Sequence, residues 1–154
     1  EAQLDRFMVR IRLGYPTADE ESDLLLRFER DHTALHLDPV TDAGELDEMQ
    51  KAVSKVQMDE MVRMYIVGII RATREQSGLS LGASPRAGLG LYKTAQARAA
   101  IDGRDFVTPD DVKALAAPVL AHRMILTTNS RVRGRTTEET VQDVLSSVPV
   151  PIER

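Results

Sequence analysis

The chain has 154 residues, 42% of them hydrophobic but only 4% aromatic, so it can build one domain, or a small domain plus part of another, around an aliphatic core. A formal net charge of −4 argues against non-specific nucleic-acid binding, and the lack of cysteine excludes disulfides, thiolate metal sites and a cysteine nucleophile. The longest apolar run, Tyr65 to Ile70, is far too short to span a membrane, and no signal peptide is visible, so the cytoplasm is the expected location.

The first residue is Glu rather than Met, and the chain reads as a piece of something longer. From Phe7 the pattern alternates: Phe7, Val9, Ile11 and Leu13 on one face, Met8, Arg10 and Arg12 on the other. This predicts a half-buried strand, ended by Gly14-Tyr15-Pro16. Nothing downstream alternates as well, so the strand is expected to belong to a sheet that lies upstream.

Helices follow. Thr17 with Glu20 forms a capping box for a first helix expected to bury Leu24, Leu25 and Phe28. Asp42 with Glu45 opens a second, with Leu46, Met49 and Val53 inward, after a loop from Asp31 to Thr41. The third, from about Asp59 to Glu75, carries Met61, Val62, Tyr65, Ile66, Ile69 and Ile70 at helical spacing, widened by Val67, and should be the most buried. Ser84 and Pro85 start a fourth helix with Leu89, Leu91, Ala95, Ala99 and Ile101, stopped by Gly103. Thr108-Pro109-Asp110-Asp111 starts a fifth, burying Val112, Leu115, Ala116 and Val119, which Pro118 ends or kinks. Arg123 to Thr127 reads as a short strand or a helix end, and Asn129 to Arg135 as a mobile loop. Thr136 with Glu139 caps a last helix with Val141, Val144, Leu145 and Val148 inward. The expected fold is mainly α: one strand followed by a bundle of about six helices.

Few motifs carry chemistry. A Walker A loop is absent, since Lys93-Thr94 follows Tyr92 instead of Gly, and Gly88-Leu89-Gly90 matches no fingerprint. Met58-Asp59-Glu60 reads as acids in a first helical turn. His32 and His36, flanked by Asp31 and Asp38, have a metal-binding spacing if helical, but the segment looks like a loop with no third ligand, and no metal site is expected. His122-Arg123 reads as a structural pair near the bundle end. Arg86 is unusual. It falls in the first turn after Ser84 and Pro85, where the helix dipole disfavours a cation unless an anion sits in front. It either curls into solvent or meets a phosphate. Arg6, just before the strand, either pairs with Asp5 or Glu1 or points at a neighbouring subunit.

Glu1-Ala2-Gln3-Leu4-Asp5-Arg6-Phe7, Arg12-Leu13-Gly14-Tyr15-Pro16, Leu81-Gly82-Ala83-Ser84-Pro85-Arg86-Ala87, Gly103-Arg104-Asp105-Phe106-Val107-Thr108-Pro109-Asp110-Asp111-Val112 and His122-Arg123 occur in this order along nearly the whole chain. In them the chain resembles the C-terminal part of the MoxR family of AAA+ ATPases. The resemblance implies that residues 1–15 are the end of an α/β ATPase core and 16–154 a helical lid domain. It implies that Arg86 is the sensor-2 arginine, reaching with Ser84 and Pro85 toward the γ-phosphate of ATP in the same subunit. Arg6 would be the arginine finger, acting on ATP in the neighbouring subunit. The family's work is chaperone-like remodelling or assembly of client proteins, often with a von Willebrand A-type partner, in a ring for which a hexamer is expected. ATP and Mg²⁺ are implied for the whole protein. This chain lacks Walker A, Walker B and sensor 1 and is expected to be inactive alone. The alternative reading is a helical protein-interaction or DNA-binding module of a regulator, against which the acidic balance and the lack of a basic recognition helix weigh.

Overall fold

The core is built around two helices. A computed structural model describes residues 3–30 and 38–151. Helix α3 (Glu60–Glu75) starts where the Asp59 side chain accepts the Met61 N–H at 2.7 Å. It buries Val62, Tyr65, Ile66, Ile69, Ile70 and Thr73, one face at three- and four-residue spacing. Met61 and Val67, which the sequence adds to that face, are exposed. Helix α4 (Pro85–Ile101) turns Ala87, Leu91, Ala95 and Ala99 fully inward. The small side chains let neighbouring helices approach closely, whereas Leu89 and Ile101 lie off this stripe and are exposed. Gly103, at φ +74°, provides the left-handed turn that stops α4.

Helix α5 (Pro109–Leu120) packs on α4 through Val112, Ala116 and Val119, and α7 (Thr137–Ser147) closes the bundle with Val141 and Val144. Both begin with the capping boxes the sequence predicts: Thr108 with Asp111, and Thr136 with Glu139. Pro118 does not stop α5, which continues to Leu120; it sits in the last turns. Ahead of the bundle, Gln57 and Phe106 form a parallel bridge, with Gln57 N donating to Asp105 O at 2.8 Å and Val107 N to Gln57 O at 2.9 Å. This ties the starts of α3 and α5 together. The buried Gln96 side chain donates to Val56 O at 2.7 Å and joins α4 to the same end.

The expected short strand or helix end at 123–127 is both: a 3₁₀ turn ends at Arg123 and strand β2 (Ile125–Leu126) follows. Its antiparallel partner, strand β1 (Leu79–Leu81), is too short to show a period in the sequence. Residues 129–135 are not a plain loop: α6 (Thr128–Val132) forms there, capped by Thr127, and Gly134 at φ +75° follows it.

The N-terminal third departs further. Leu4–Arg6 is a single 3₁₀ turn, and the alternating residues after it are extended. They pair with no strand among the described residues, and Phe7, Ile11 and Leu13 are exposed. Arg10 N donates to Pro118 O at 2.9 Å, Arg123 Nη2 donates to Phe7 O at 2.6 Å, and Arg12 pairs with Glu138 at 2.8 Å, all holding the segment to the bundle. Helices α1 (Ala18–Arg30) and α2 (Ala43–Ser54) form at their predicted caps. Their apolar faces are not buried: Leu24, Leu25, Phe28, Leu46 and Met49 are all exposed. An amphipathic pattern states that a helix has a face suited to burial; it does not state that the covering surface belongs to the same stretch of chain. Among the described residues no helix is long and apolar enough to cross a membrane.

Candidate functional site

The start of α4 is built from the end of α3. Thr73, fully buried, donates to Ile70 O at 2.7 Å and accepts the Ala83 N–H at 2.9 Å. Arg74 Nε donates to Ala83 O at 2.9 Å. Both backbone groups of Ala83 are thus held by consecutive residues of α3. Gly82 makes this approach possible: a Cβ there would lie 2.8 Å from both Arg74 Cα and Thr73 O. Ser84 follows as N-cap, accepting the Ala87 N–H at 3.4 Å, and Pro85 takes the first helical position.

Arg86 therefore stands in the first turn of a rigidly mounted helix. It is exposed, and among the described residues it makes no hydrogen bond or ion pair. The other candidate, Arg6, ends the 3₁₀ turn and is also exposed; its backbone N–H donates to Gln3 O, but its side chain has no hydrogen bond or ion pair among the described residues. Of the two ion-pair partners the sequence offers Arg6, Asp5 does not pair with it and Glu1 lies outside the described residues. Asp5 instead accepts from Ser84 Oγ at 3.2 Å and lies 3.7 Å from Arg123 Nη1. The neighbour of Arg6 is thereby joined to the cap that precedes Arg86.

Arg123 is the residue whose role here the sequence understates. Its side chain is 2% exposed, and Nη2 donates to Phe7 O at 2.6 Å. His122 Nε2 lies 3.0 Å from the same carbonyl and donates to it in the Nε2–H tautomer. Burial pushes the Arg123 guanidinium down from its usual range; Asp5 opposes this, and the charge of Arg86 adds to it. Arg86 is near enough to be felt electrostatically at Arg123. Asp5, Arg74, Ser84, Pro85, His122 and Arg123 line a cleft of about 900 Å³, whereas Arg6 and Arg86 do not line it. A helix N-terminus with an exposed arginine in its first turn favours an anion with several oxygens, such as a phosphate.

His32, His36 and Asp31 lie outside the described residues, and Asp38 is exposed. Among the described residues no three His, Asp or Glu side chains converge on a point that could hold a metal. Thr73, Arg74, Gly82, Asp5 and Arg123 are the site residues missed or undervalued from sequence. Gly82 two residues ahead of a cap was the one local signal.

Comparison with known proteins agrees with this architecture. The AAA lid domain family matches residues 71–144, which contain the end of α3 and all of α4 to α6. The chain is 40% identical over its whole length to the uncharacterized protein YeaC of Bacillus subtilis, of which it covers 48%. It is 33% identical over 98% of its length to the chaperone MoxR1 of Mycobacterium tuberculosis, covering 42% of that protein. To the protein MoxR of Paracoccus denitrificans it is 30% identical, covering 50%. A crystal structure from Cytophaga hutchinsonii, described as a "putative ATPase", superposes with a TM-score of 0.88 at 29% identity, over 98% of this chain and 48% of that one. The chain thus spans about half the length of the relatives it matches. With an AAA lid domain match across most of its bundle and MoxR-named relatives along nearly its whole length, the chain is MoxR-like and consistent with the C-terminal part of an AAA+ protein of that type.

Proposed function

We propose that this chain is the lid portion of a MoxR-type ATPase that couples ATP binding and hydrolysis to chaperone-like remodelling or assembly of client proteins. Residues 1–15 would close the ATPase core, and 16–154 would form the lid. The observation that carries the reading is Arg86: a cation whose side chain has no partner among the described residues, at the positive end of a helix that is locked to α3 through both backbone groups of Ala83. Such an arrangement is costly for the dipole unless an anion is shared. In this reading Arg86 contacts the γ-phosphate in its own subunit, with Ser84 and Pro85 setting the helix start, and Arg6 reaches the γ-phosphate of the next subunit in a ring.

The cationic groups suit phosphate contact, but the chain has no Walker A loop, so the rest of the nucleotide site would come from the preceding part of the protein. ATP with Mg²⁺ supplies the transferable phosphoryl group and its charge neutralisation. The arginines contribute positioning and stabilisation of charge as the γ-phosphoryl group leaves. A finger supplied in trans is worth about 10³–10⁵ in rate in well-studied NTPases.

In the full-length ATPase, Arg86→Ala should cut turnover while rings still form. Arg6→Ala should cut turnover and be rescued in mixed rings by subunits with an intact finger. Wild-type turnover in both variants would overturn the assignment. The 154-residue chain itself should not bind ATP at micromolar concentration in a calorimeter.

A further inference from the structure

We infer that Arg123 is a positioning residue, whose buried guanidinium, together with Asp5 and Ser84, fixes the segment carrying Arg6 against the helix start carrying Arg86. The inference rests on the roles proposed above for those two arginines, and it adds the element that would hold them in one relation.

The geometry is unusual for a residue kept only for stability. A guanidinium with 2% of its side chain exposed carries a desolvation cost that an apolar side chain would avoid. Here its donors reach across the fold to the N-terminal segment. Nη2 holds Phe7 O at 2.6 Å, one residue after Arg6. Nη1 faces Asp5, one residue before Arg6, at 3.7 Å, and has no hydrogen-bond partner among the described residues. Asp5 in turn receives the Ser84 hydroxyl at 3.2 Å, two residues before Arg86. Arg6 is thus flanked on both sides by residues that one side chain grips.

Helix α4 makes room for the grip. Gly90 lies against the guanidinium, and a Cβ there would already be 3.5 Å from both Nη1 and Nη2. A larger side chain at 90 would fill the space the guanidinium needs. The same guanidinium therefore touches α4 and the Arg6 segment at once. Lysine could supply the charge, but not two directed donors a fixed distance apart. A movement of α4 on binding a phosphate at Arg86 would be felt at Arg6 through Ser84, Asp5 and Arg123, and the reverse also holds.

The test uses the full-length, ring-forming ATPase. Arg123→Met, Arg123→Lys, Asp5→Asn and the double variant Arg123→Met/Asp5→Asn are compared with Arg86→Ala and Arg6→Ala, reading kcat, KM for ATP and the melting temperature. Displacement of a catalytic group by about 1 Å can cost on the order of 100-fold in rate. We expect Arg123→Met and Asp5→Asn each to lower kcat roughly tenfold to a hundredfold with KM changed less than about threefold. Arg123→Lys should fall between wild type and Met, and the double variant should be no slower than Arg123→Met alone, because both remove one connection. A purely structural role predicts lower melting temperatures, wild-type kcat per folded ring and additive effects, and that result overturns the inference. Should Arg123→Met fail to fold, Asp5→Asn and Arg123→Lys decide by the same kcat criterion. Wild-type kcat in Asp5→Asn and Arg123→Lys, with Arg86→Ala and Arg6→Ala inactive, refutes the positioning role and leaves the arginine roles standing. Wild-type kcat in Arg86→Ala and Arg6→Ala refutes those roles and the inference with them.

Discussion

Replacing Asp111 by Asn should be among the most damaging single changes in the bundle. The carboxylate is 3% exposed and accepts two parallel bonds from Arg104, Nη2 to Oδ1 at 2.7 Å and Nη1 to Oδ2 at 2.8 Å. It also accepts the Thr108 N–H at 2.8 Å and the Thr108 hydroxyl at 2.9 Å, completing the α5 cap. An Asn keeps the size but must turn an NH₂ toward one of these donors. A lost helix cap costs about 0.5–2 kcal/mol. A broken buried charge pair costs about 3–5 kcal/mol. Arg104 keeps Asp102 at 3.1 Å and is part-exposed, so the second cost is only partly incurred. We expect ~2–4 kcal/mol in total, a large share of the roughly 5–15 kcal/mol of a typical domain. In thermal melts that is a fall of roughly 5–15 °C for a chain of this size. Urea unfolding followed by circular dichroism measures it, with Asp110→Asn as control, because the Asp110 side chain is 86% exposed and its ion pair is with Lys113 among the described residues. Acid adds a second readout. Burial pushes the Asp111 carboxyl up, but Arg104 and Thr108 together outweigh it and hold its pKa below the ordinary value. Its ionised form thus stabilises the fold fully above an unfolded pKa of about 3.9, and the contribution is lost as pH falls through the lower folded value. The gap between wild type and Asp111→Asn should narrow below about pH 4. A variant within about 0.5 kcal/mol of wild type at pH 7, or a gap that does not change in acid, would refute the reasoning.

Three further changes probe the mounting of α4. Thr73→Val keeps the shape but leaves the Ala83 N–H without its buried acceptor; a loss of about 1–3 kcal/mol is expected in urea unfolding, while Thr73→Ser should retain the bond. Gly82→Ala forces a Cβ onto the α3 backbone and should cost about 1–3 kcal/mol by the same measurement, since backbone cannot give way as a side-chain tip can. Ser84→Ala removes the cap of α4 and the bond to Asp5, and should lower the melting temperature by a few degrees, corresponding to about 1 kcal/mol.

The parts of the fold that were legible in sequence are those encoded within a few residues. Thr108 with Asp111 and Thr136 with Glu139 fix two helix starts because donor and acceptor are three residues apart. The α3 face from Val62 to Ile70 declares itself through its period. The same logic found Ser84, Pro85 and Arg86, and their resemblance to a known motif supplied a role that spacing alone left open. The unread parts are long-range. Ser84 meets Asp5 across 79 positions, and Arg123 meets Phe7 across 116, and no local pattern records either. Strands of three and two residues give no period to detect. The faces of α1 and α2 were legible as faces, but their burial depended on surfaces that the pattern does not describe.

The exposed face of α1 bears on how the molecule breathes. Thirteen residues make a helix that is marginal by itself in water, and residues 18–29 gain little from burial. Its amides should therefore exchange with deuterium by local opening, far faster than those of Ile69, Leu91 or Val119, which should open only with the whole bundle. Leu24 and Leu25 would then act as a built-in gauge of assembly: slow exchange across α1 in a larger particle would mark the moment when these exposed side chains acquire a cover.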